Sequence, residues 1–308
     1  MIKPKKLEPG ATLGLVAASG AFIRTKFKKG CQFLESKGYK LQIGKNAFNK
    51  YGYLAGKDEE RAKDINDMFE NSSVDAVMCI RGGYGASRIL DLLDYNLIKE
   101  NPKIFIGFSD PTALQLAIYK KSKLMTFYGP MLSFDFGDSV SPFTWSSFLD
   151  VLTCSNGKII HDFMKTEYYT VLNEGNAHGT LIGGCISLIQ TLIGTDYMPD
   201  FKDKILFLED SGEYPYRLDR IFFHLKNAGL FEGLAGVIIG NTNIPRKISK
   251  KDLKVDEILK DVFKEYDYPV IYNLPFGHCK DKLTIPQGIE GYISTSEKLI
   301  KYDVSVVD

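Results

Sequence analysis

Apolar runs and helix-spaced patterns alternate through the first half of the chain. The runs "TLGLVAA", "VDAVMCI" and "KIFIGF" are continuous, which is typical of strands buried on both faces. Between them, "RTKFKKGCQFLESKG" and "DEERAKDINDMFEN" place apolar residues at helical spacing. Strands that alternate with helices of this length predict βαβ units and a parallel sheet.

The pattern loosens after about residue 135 and tightens again near residue 176. Residues 136–175 are rich in turn formers, so we interpret them as an inter-domain linker. The second block alternates strands such as "KILFLED" and "LAGVIIGN" with helices, and its tail predicts short β-hairpins. A length of 308 residues suits two domains, which we expect at 1–135 and 176–308.

Composition excludes several classes of protein. Hydrophobic residues make up 44% and charged residues 25%, with a net charge of +1, so neither a nucleic-acid nor an acidic-membrane partner is indicated. No apolar run reaches the roughly 18 residues of a membrane helix, and the N-terminal run is short for a signal peptide. We therefore expect a cytoplasmic protein without a membrane partner.

The cysteines and histidines predict no metal centre. The five cysteines are scattered without a C-x-x-C pair, so we expect free thiols rather than a zinc ribbon or a disulfide framework. No histidine and acid pattern such as H-E-x-x-H is present, so no catalytic metal is expected.

Two polar junctions follow predicted strands and fall at the same edge of the sheet, where ligands bind in such folds. One is Ser109-Asp110 in "GFSDP", which has the form of a nucleophile elbow on a strand-to-helix turn. Pro111 stands where the second glycine of that motif would be. Ser109 or Asp110 could equally cap the following helix.

The other junction is the glycine-rich loop "RGGYGAS", residues 81–87. Its backbone N–H groups can form an anion-binding concavity suited to an oxyanion, although a plain tight turn has the same composition. It lacks the G-x-G-x-x-G order, which disfavours a dinucleotide site.

A histidine base has four candidates. His224 lies mid-helix and is interpreted as structural, and His161 lies in the linker. His178 adjoins a glycine in a predicted loop and stays a candidate. His278 directly follows a strand and a glycine, so it is either a base at the sheet edge or an exposed loop histidine.

Two acids, Glu209 and Asp210, end the strand "KILFLED". Acids are common at such turns, but a carboxylate here could orient a histidine and stabilise its imidazolium. Glu213 and Asp219 are nearby competitors for that role.

Taken together, these motifs resemble the LD-carboxypeptidase family of serine peptidases, which also contains the microcin C immunity peptidases. The likeness runs nearly end to end. It includes "IRGGYGASRILDLLD", "IGFSDPTALQ", "TFYGPML", "GTLIGGCISLI", "LEDSGEYPYRLDR" and "FGHCKDKLTIPQG".

The resemblance implies a Ser–Glu–His triad at Ser109, Glu209 and His278, with an oxyanion hole from the backbone of Gly83 and Asp110. It implies an α/β fold: a flavodoxin-like N-terminal domain with a parallel sheet, and a β-rich α/β C-terminal domain. It also implies a cytoplasmic homodimer that uses no cofactor. Arg81 is a weak candidate for holding the substrate's carboxylate.

Two stretches depart from the family pattern. Relatives often read Gly-Gly-Asn where this chain has Gly183-Gly184-Cys185, and the segment at Gly240-Asn241 is also unusual. Substrate contacts from either stretch cannot be carried over.

We expect a small peptide substrate, and the favoured reaction is release of the terminal D-alanine from murein tetrapeptide in cell-wall recycling. The alternative is a microcin-immunity-type amidase acting on aminoacyl sulfamoyl or phosphoramidate adenylates, for which Trp145 would be the single tryptophan able to stack on adenine. A non-catalytic small-molecule binding protein is a third hypothesis.

Overall fold

A computed structural model describes residues 1–153, 169–242, 252–302 and 307, together with the backbone of 159–162 and 243. The helices are α1 Arg24–Ser36, α2 Asp58–Glu70, α3 Tyr95–Glu100, α4 Thr112–Ser122, α5 Pro142–Thr153, α6 Ile186–Leu192, α7 Pro215–Asn227 and α8 Val255–Phe263.

The strands are β1 Thr12–Val16, β2 Lys40–Ile43, β3 Ala76–Cys79, β4 Ile104–Gly107, β5 Thr126–Tyr128, β6 Ile159–Asp162, β7 Thr170–Asn173, β8 Asn176–Cys185, β9 Lys204–Ser211, β10 Gly236–Asn243, β11 Val270–Leu274, β12 Ile285–Gln287, β13 Glu290–Ser294 and β14 Leu299–Tyr302. A 3₁₀ helix spans Ala86–Leu92 and a π-helical turn spans Leu132–Phe136.

The first sheet has the order β2-β1-β3-β4-β5-β12. Its first five strands are parallel and follow the flavodoxin-like order 2-1-3-4-5, which confirms the predicted α/β class. Strands β3, β4 and β5 are buried at every position because helices cover both faces of the sheet. The predicted helices α1 and α2 form at their predicted places.

The second sheet has the order β6-β14-β13-β8-β9-β10-β11-β7. Strands β8 to β11 are parallel at its centre, and antiparallel strands flank them on both sides. This is the predicted β-rich α/β half, and the hairpin β13–β14 matches the predicted hairpin tail. The carboxyl end of β9 carries Glu209 and Asp210.

The two halves interlock through β12. This strand comes from the C-terminal part of the chain but pairs antiparallel with β5 at the edge of the first sheet. Within the predicted linker, α5 forms a regular helix, and Thr144 in it accepts a hydrogen bond from the Lys282 backbone N–H (3.0 Å). The division into 1–135, 136–175 and 176–308 stays a prediction.

A buried ion pair also joins the halves. The ammonium of Lys282 bonds the carboxylate of Asp135, and their side chains are 1% and 7% exposed. Lys282 Nζ lies 4.3 Å from the ring centroid of Phe108 and 5.1 Å from that of Phe134. Burial raises the pKa of Asp135, although the Lys282 charge opposes that shift.

Truncating Lys282 should destabilise the protein strongly, because Asp135 would remain buried without a cation. We expect Lys282→Ala to lower the free energy of unfolding by about 3 kcal/mol at neutral pH, measured by urea denaturation. The exposed pair Lys63–Asp67 provides the control, since Lys63→Ala should have a much smaller effect on the free energy of unfolding. Equal effects of the two variants would contradict this account of the interface.

Candidate active site

The elbow between β4 and α4 holds Ser109 in a conformation that a side chain rarely adopts. Its φ is 66°, in the left-handed region, where non-glycine residues are strained. Two hydrogen bonds hold it there: its N–H donates to Tyr128 Oη (3.2 Å), and its carbonyl accepts from the Thr112 N–H (2.9 Å). The side chain is half-buried at the end of the strand.

The helix-capping alternative for Ser109 and Asp110 is wrong. The cap position of α4 is Pro111, and it makes no side-chain capping bond. The Asp110 carboxylate instead accepts the N–H of Ala86 in the glycine-rich loop (2.7 Å). Burial raises the pKa of Asp110. Asp110 therefore ties the elbow to that loop.

The glycine-rich loop lies directly against the nucleophile candidate. A Cβ placed on Gly82 would lie 3.0 Å from Ser109 Cβ and 3.1 Å from its Oγ, so any side chain there would crowd the serine. The Gly20 N–H holds the loop by donating to the Gly82 carbonyl (3.2 Å). Neither the Gly83 N–H nor the Asp110 N–H donates to another described residue. Both are therefore open to an oxyanion.

Glu209 and His278 form a close pair. Glu209 Oε2 lies 2.8 Å from His278 Nδ1 and also accepts the His278 backbone N–H (3.1 Å). Gly277 precedes the histidine with a φ of 82°, and a Cβ there would collide with the Glu209 carboxylate. Only glycine lets the His278 loop close over Glu209 in this way.

His278 lies beside the elbow. The Phe108 ring meets the imidazole edge to face, with centroids 5.0 Å apart. Ser109 Oγ makes no hydrogen bond to His278 in this part of the structure, and such bonds commonly tighten only when substrate is bound. The elbow, the glycine-rich loop and the Glu209–His278 pair thus share one site between the two sheets.

The other candidates lie elsewhere. His178 is exposed in β8, where it packs on Tyr292, and His224 is exposed on α7, where it bonds Gln190 (2.8 Å). The side chain of His161 lies outside the described residues. Glu213 faces Arg217 (3.6 Å) rather than a histidine.

The electrostatics of the pair favour a charged imidazole. Burial alone would lower the pKa of His278, but the hydrogen bond and charge of Glu209, with help from Asp210, raise it above its ordinary value. Burial and the Glu209 charge in turn raise the pKa of Asp210 to about 6.

Sequence reasoning missed Tyr128 as part of the site. It ends β5, is fully buried, accepts the Ser109 N–H and donates its hydroxyl proton to Glu209 Oε1. The only signal was the motif "TFYGPML", which indicates no role for the tyrosine.

Cys185 lies beside Glu209. It pairs in register with Glu209 across β8 and β9, and its N–H donates to Thr112 Oγ1 (3.1 Å). Its Sγ lies 3.2 Å from Ser187 Oγ. In the second unusual segment, Asn241 bonds Asn273 (3.1 Å).

Arg81 lies at the rim of the loop. Its Nη1 donates to the Ala21 carbonyl (2.7 Å), and its Nη2 is 3.6 Å from where a Cβ of Gly83 would lie. Its other N–H groups bond no described residue, so they can receive an anion.

Within the same described ranges, no group of three or more His, Cys, Asp or Glu residues could hold a metal ion. No helix there is long and apolar enough to cross a bilayer.

Two family models match this two-domain α/β protein. Residues 13–129 match the LD-carboxypeptidase N-terminal domain, and residues 178–293 match the LD-carboxypeptidase C-terminal domain. Such a match defines a hydrolase of the peptidase class. The chain belongs to the LD-carboxypeptidase family, as its motifs predicted.

Two relatives illustrate the range of the family. The chain is 36% identical to the probable murein peptide carboxypeptidase of Bacillus subtilis, over 99% of this chain and 95% of that protein. It is 29% identical to the microcin C7 self-immunity protein MccF of Escherichia coli, over 96% of this chain and 93% of MccF.

Solved structures show the same fold. MccF in complex with aspartyl sulfamoyl adenosine superposes with a TM-score of 0.93 at 28% identity, covering 100% of both chains. Muramoyltetrapeptide carboxypeptidase from Oxalobacter formigenes superposes with a TM-score of 0.83 at 28% identity, covering 94% of this chain and 97% of that chain.

Removing the charge of Asp210 should lower the pKa of His278, because that charge favours the imidazolium. We expect the NMR titration of the His278 ring to lie above its ordinary value in the wild type and to move to lower pH in Asp210→Asn. Asp267→Asn, at an exposed position away from the pair, is the control. An unmoved titration in Asp210→Asn would contradict this electrostatic account.

Proposed function

We propose that the protein is a serine carboxypeptidase that releases the terminal D-alanine from murein tetrapeptide. One observation carries the proposal: a strained serine, the Glu209–His278 pair and two open backbone N–H groups lie at one site. The relative in Bacillus subtilis, named a probable murein peptide carboxypeptidase, supports this substrate.

In the first step, His278 Nε2 takes the proton of Ser109 Oγ as the oxygen attacks the carbonyl of the L,D-peptide bond. Glu209 accepts Nδ1–H, which fixes the tautomer and stabilises the imidazolium that forms. The oxyanion of the tetrahedral intermediate is placed at the N–H groups of Gly83 and Asp110, each worth about 3 kcal/mol.

In the second step, the imidazolium returns its proton to the leaving amine of D-alanine, and an ester to Ser109 remains. Water then enters, and His278 takes its proton as the water oxygen attacks the ester carbonyl. The C–Oγ bond breaks, the imidazolium returns the proton to Ser109 Oγ, and the tripeptide is released. The raised pKa of His278 makes its neutral imidazole a stronger base toward Ser109 Oγ. The imidazolium that forms then supplies the proton that the leaving amine needs.

Arg81 is the proposed anchor for the substrate's terminal carboxylate. Its uncommitted N–H groups lie at the loop that carries Gly83, and Arg81 precedes this proposed oxyanion donor by two residues. A guanidinium can hold a carboxylate with two parallel hydrogen bonds, which would define a carboxypeptidase rather than an endopeptidase.

The second candidate function is an amidase acting on aminoacyl sulfamoyl adenylates. The TM-score of 0.93 to MccF bound to aspartyl sulfamoyl adenosine favours it. Against it, Trp145 does not form an adenine shelf: it stacks on Phe148 and packs edge to face on Phe33 and Phe136. The carboxypeptidase is therefore preferred.

Mass spectrometry of the two reactions tests the proposal. The wild type should release D-alanine from murein tetrapeptide, and Ser109→Ala should lose about 10⁵-fold or more in rate, because the nucleophile is gone. Aspartyl sulfamoyl adenosine is offered in a parallel reaction. Cleavage of that compound alone would transfer the proposal to the amidase, and full D-alanine release by Ser109→Ala would refute the mechanism.

Arg81 is tested with a matched pair of substrates, the tetrapeptide with a free C-terminal carboxylate and its C-terminal amide. The wild type should prefer the acid in kcat/KM, mainly through KM, and Arg81→Gln should lose most of that preference. A loss of about 10-fold or more is expected for a charge-assisted pair. If Arg81→Gln preferred the acid over the amide as strongly as the wild type does, another residue would hold the carboxylate.

A further inference from the structure

Tyr128 is a buried tyrosine whose hydroxyl connects the two halves of the site. Its ring packs among Phe108 and Phe207, with centroids 6.1 and 5.5 Å away, and its side chain is almost entirely enclosed. A phenylalanine would fill the same apolar space. The hydroxyl therefore needs an explanation other than packing, because burying a hydroxyl is costly unless it is hydrogen-bonded.

The hydroxyl makes two hydrogen bonds of opposite sense. It accepts the N–H of Ser109 (3.2 Å), the residue with strained backbone, and it donates its proton to Glu209 Oε1. Tyr128 lies on β5 of the first sheet, whereas Glu209 lies on β9 of the second. A single oxygen thus connects the nucleophile's backbone to the triad acid across the domain interface.

The bond to Glu209 completes the coordination of that carboxylate. Oε2 already receives Nδ1–H and the backbone N–H of His278, so Tyr128 supplies the donor on the other oxygen. The bond from Ser109 has a second consequence. With its N–H already donated, Ser109 cannot serve the oxyanion hole, which leaves that role to Gly83 and Asp110.

We propose that Tyr128 is a positioning residue for the reaction, whose hydroxyl holds the strained Ser109 elbow and the Glu209 carboxylate in register across the interface. The inference rests on the proposed nucleophile but not on the proposed substrate. Without the hydroxyl, the Ser109 N–H and Glu209 Oε1 both lose a partner, and the two halves of the triad lose their direct polar connection.

The same bond shapes the proton affinity of the Glu209–His278 pair. The charged groups that face the pair are Asp210 from β9, Lys282 from the His278 loop and Asp135 from the π-helical turn. None of them donates to Glu209 Oε1. Removing the Tyr128 donor concentrates negative charge on Glu209, so the pair takes up a proton at higher pH.

The test is the rate at which a small fluorophosphonate phosphonylates Ser109, followed by intact mass across the pH range. This reagent needs the triad but no peptide substrate. Tyr128→Phe should slow labelling by about 10- to 100-fold, the range expected when a catalytic group is displaced. The acid limb of its pH profile should move to higher pH.

The matched control is Tyr95→Phe. The Tyr95 hydroxyl donates a partly buried hydrogen bond to the Leu90 carbonyl (2.7 Å), which the variant loses. Tyr95 lies on α3, away from the site. Its labelling rate and acid limb should equal those of the wild type. The inference is overturned if Ser109 in Tyr128→Phe is phosphonylated at the wild-type rate and the acid limb of the pH profile does not move. It is also overturned if Tyr128→Phe, like Tyr95→Phe, changes only the free energy of unfolding.

If Tyr128→Phe does not fold, 3-fluorotyrosine at position 128 tests the same point. The ring shape and the hydroxyl are retained, but the phenol is a stronger donor, so the acid limb should move to lower pH. An unmoved limb overturns the inference.

The proposed function fails in a distinguishable way. A wild type that is labelled on Ser109 but releases no D-alanine contradicts the substrate and leaves Tyr128 in its role. A wild type that is not labelled on Ser109 overturns both.

Discussion

The site depends on one buried carboxylate held between two sheets. Glu209 is 1% exposed, and every described donor to it comes from a part of the chain distant in sequence: Tyr128 from the first sheet and His278 from the loop after β11. A buried carboxylate without donors would be strongly disfavoured. The fold supplies those donors by bringing β5, β9 and the His278 loop together, and this same arrangement places a histidine beside the strained serine.

The interlocked halves explain how this geometry is maintained. Strand β12 crosses back to pair with β5, the strand that ends in Tyr128. The Lys282–Asp135 ion pair packs against Phe108, the residue before Ser109. Relative movement of the halves would therefore break several buried contacts together. We infer that the active geometry and the folded interface are stabilised by the same interactions.

Much of the fold was predictable from local pattern. Continuous apolar runs predicted β1, β3 and β4, and the alternation of strands and helices predicted the parallel sheet. The flavodoxin-like fold was implied by the family resemblance. The crossing of β12 was not predictable, because the three residues Ile285–Gln287 have the same local pattern as a hairpin strand. The helix α5 was missed inside a turn-rich stretch, where its neighbours obscured the periodicity.

The site shows the same division. That the Ser109-Asp110 turn and the glycine-rich loop lie together was predictable, because the carboxyl ends of parallel strands meet at one edge of the sheet. The roles of Ser109, Gly83 and Asp110 as nucleophile and oxyanion donors were implied by the family resemblance and stay predictions. The pairing of His278 with Glu209 needed the family resemblance, since 69 residues separate them. Tyr128 was missed because its role lies in two hydrogen bonds that no spacing rule encodes. The expected cytoplasmic location and homodimer stay predictions.

Cys185 marks where this chain should differ from relatives with asparagine at that position. Its thiol lies beside Glu209 and cannot supply the two amide donors and the carbonyl acceptor of asparagine. Burial, with the charges of Asp210 and Glu209, raises its pKa, so it stays a neutral thiol. Any substrate group that asparagine would bind must find another partner here.

The central claim is that Ser109 forms a covalent acyl intermediate using the base held by Glu209. Rapid acid quenching of the wild type during turnover of murein tetrapeptide, followed by peptide mapping, tests it most directly. The account predicts an adduct equal to the tetrapeptide without its D-alanine, located on the peptide that contains Ser109. An adduct on any other residue would contradict it.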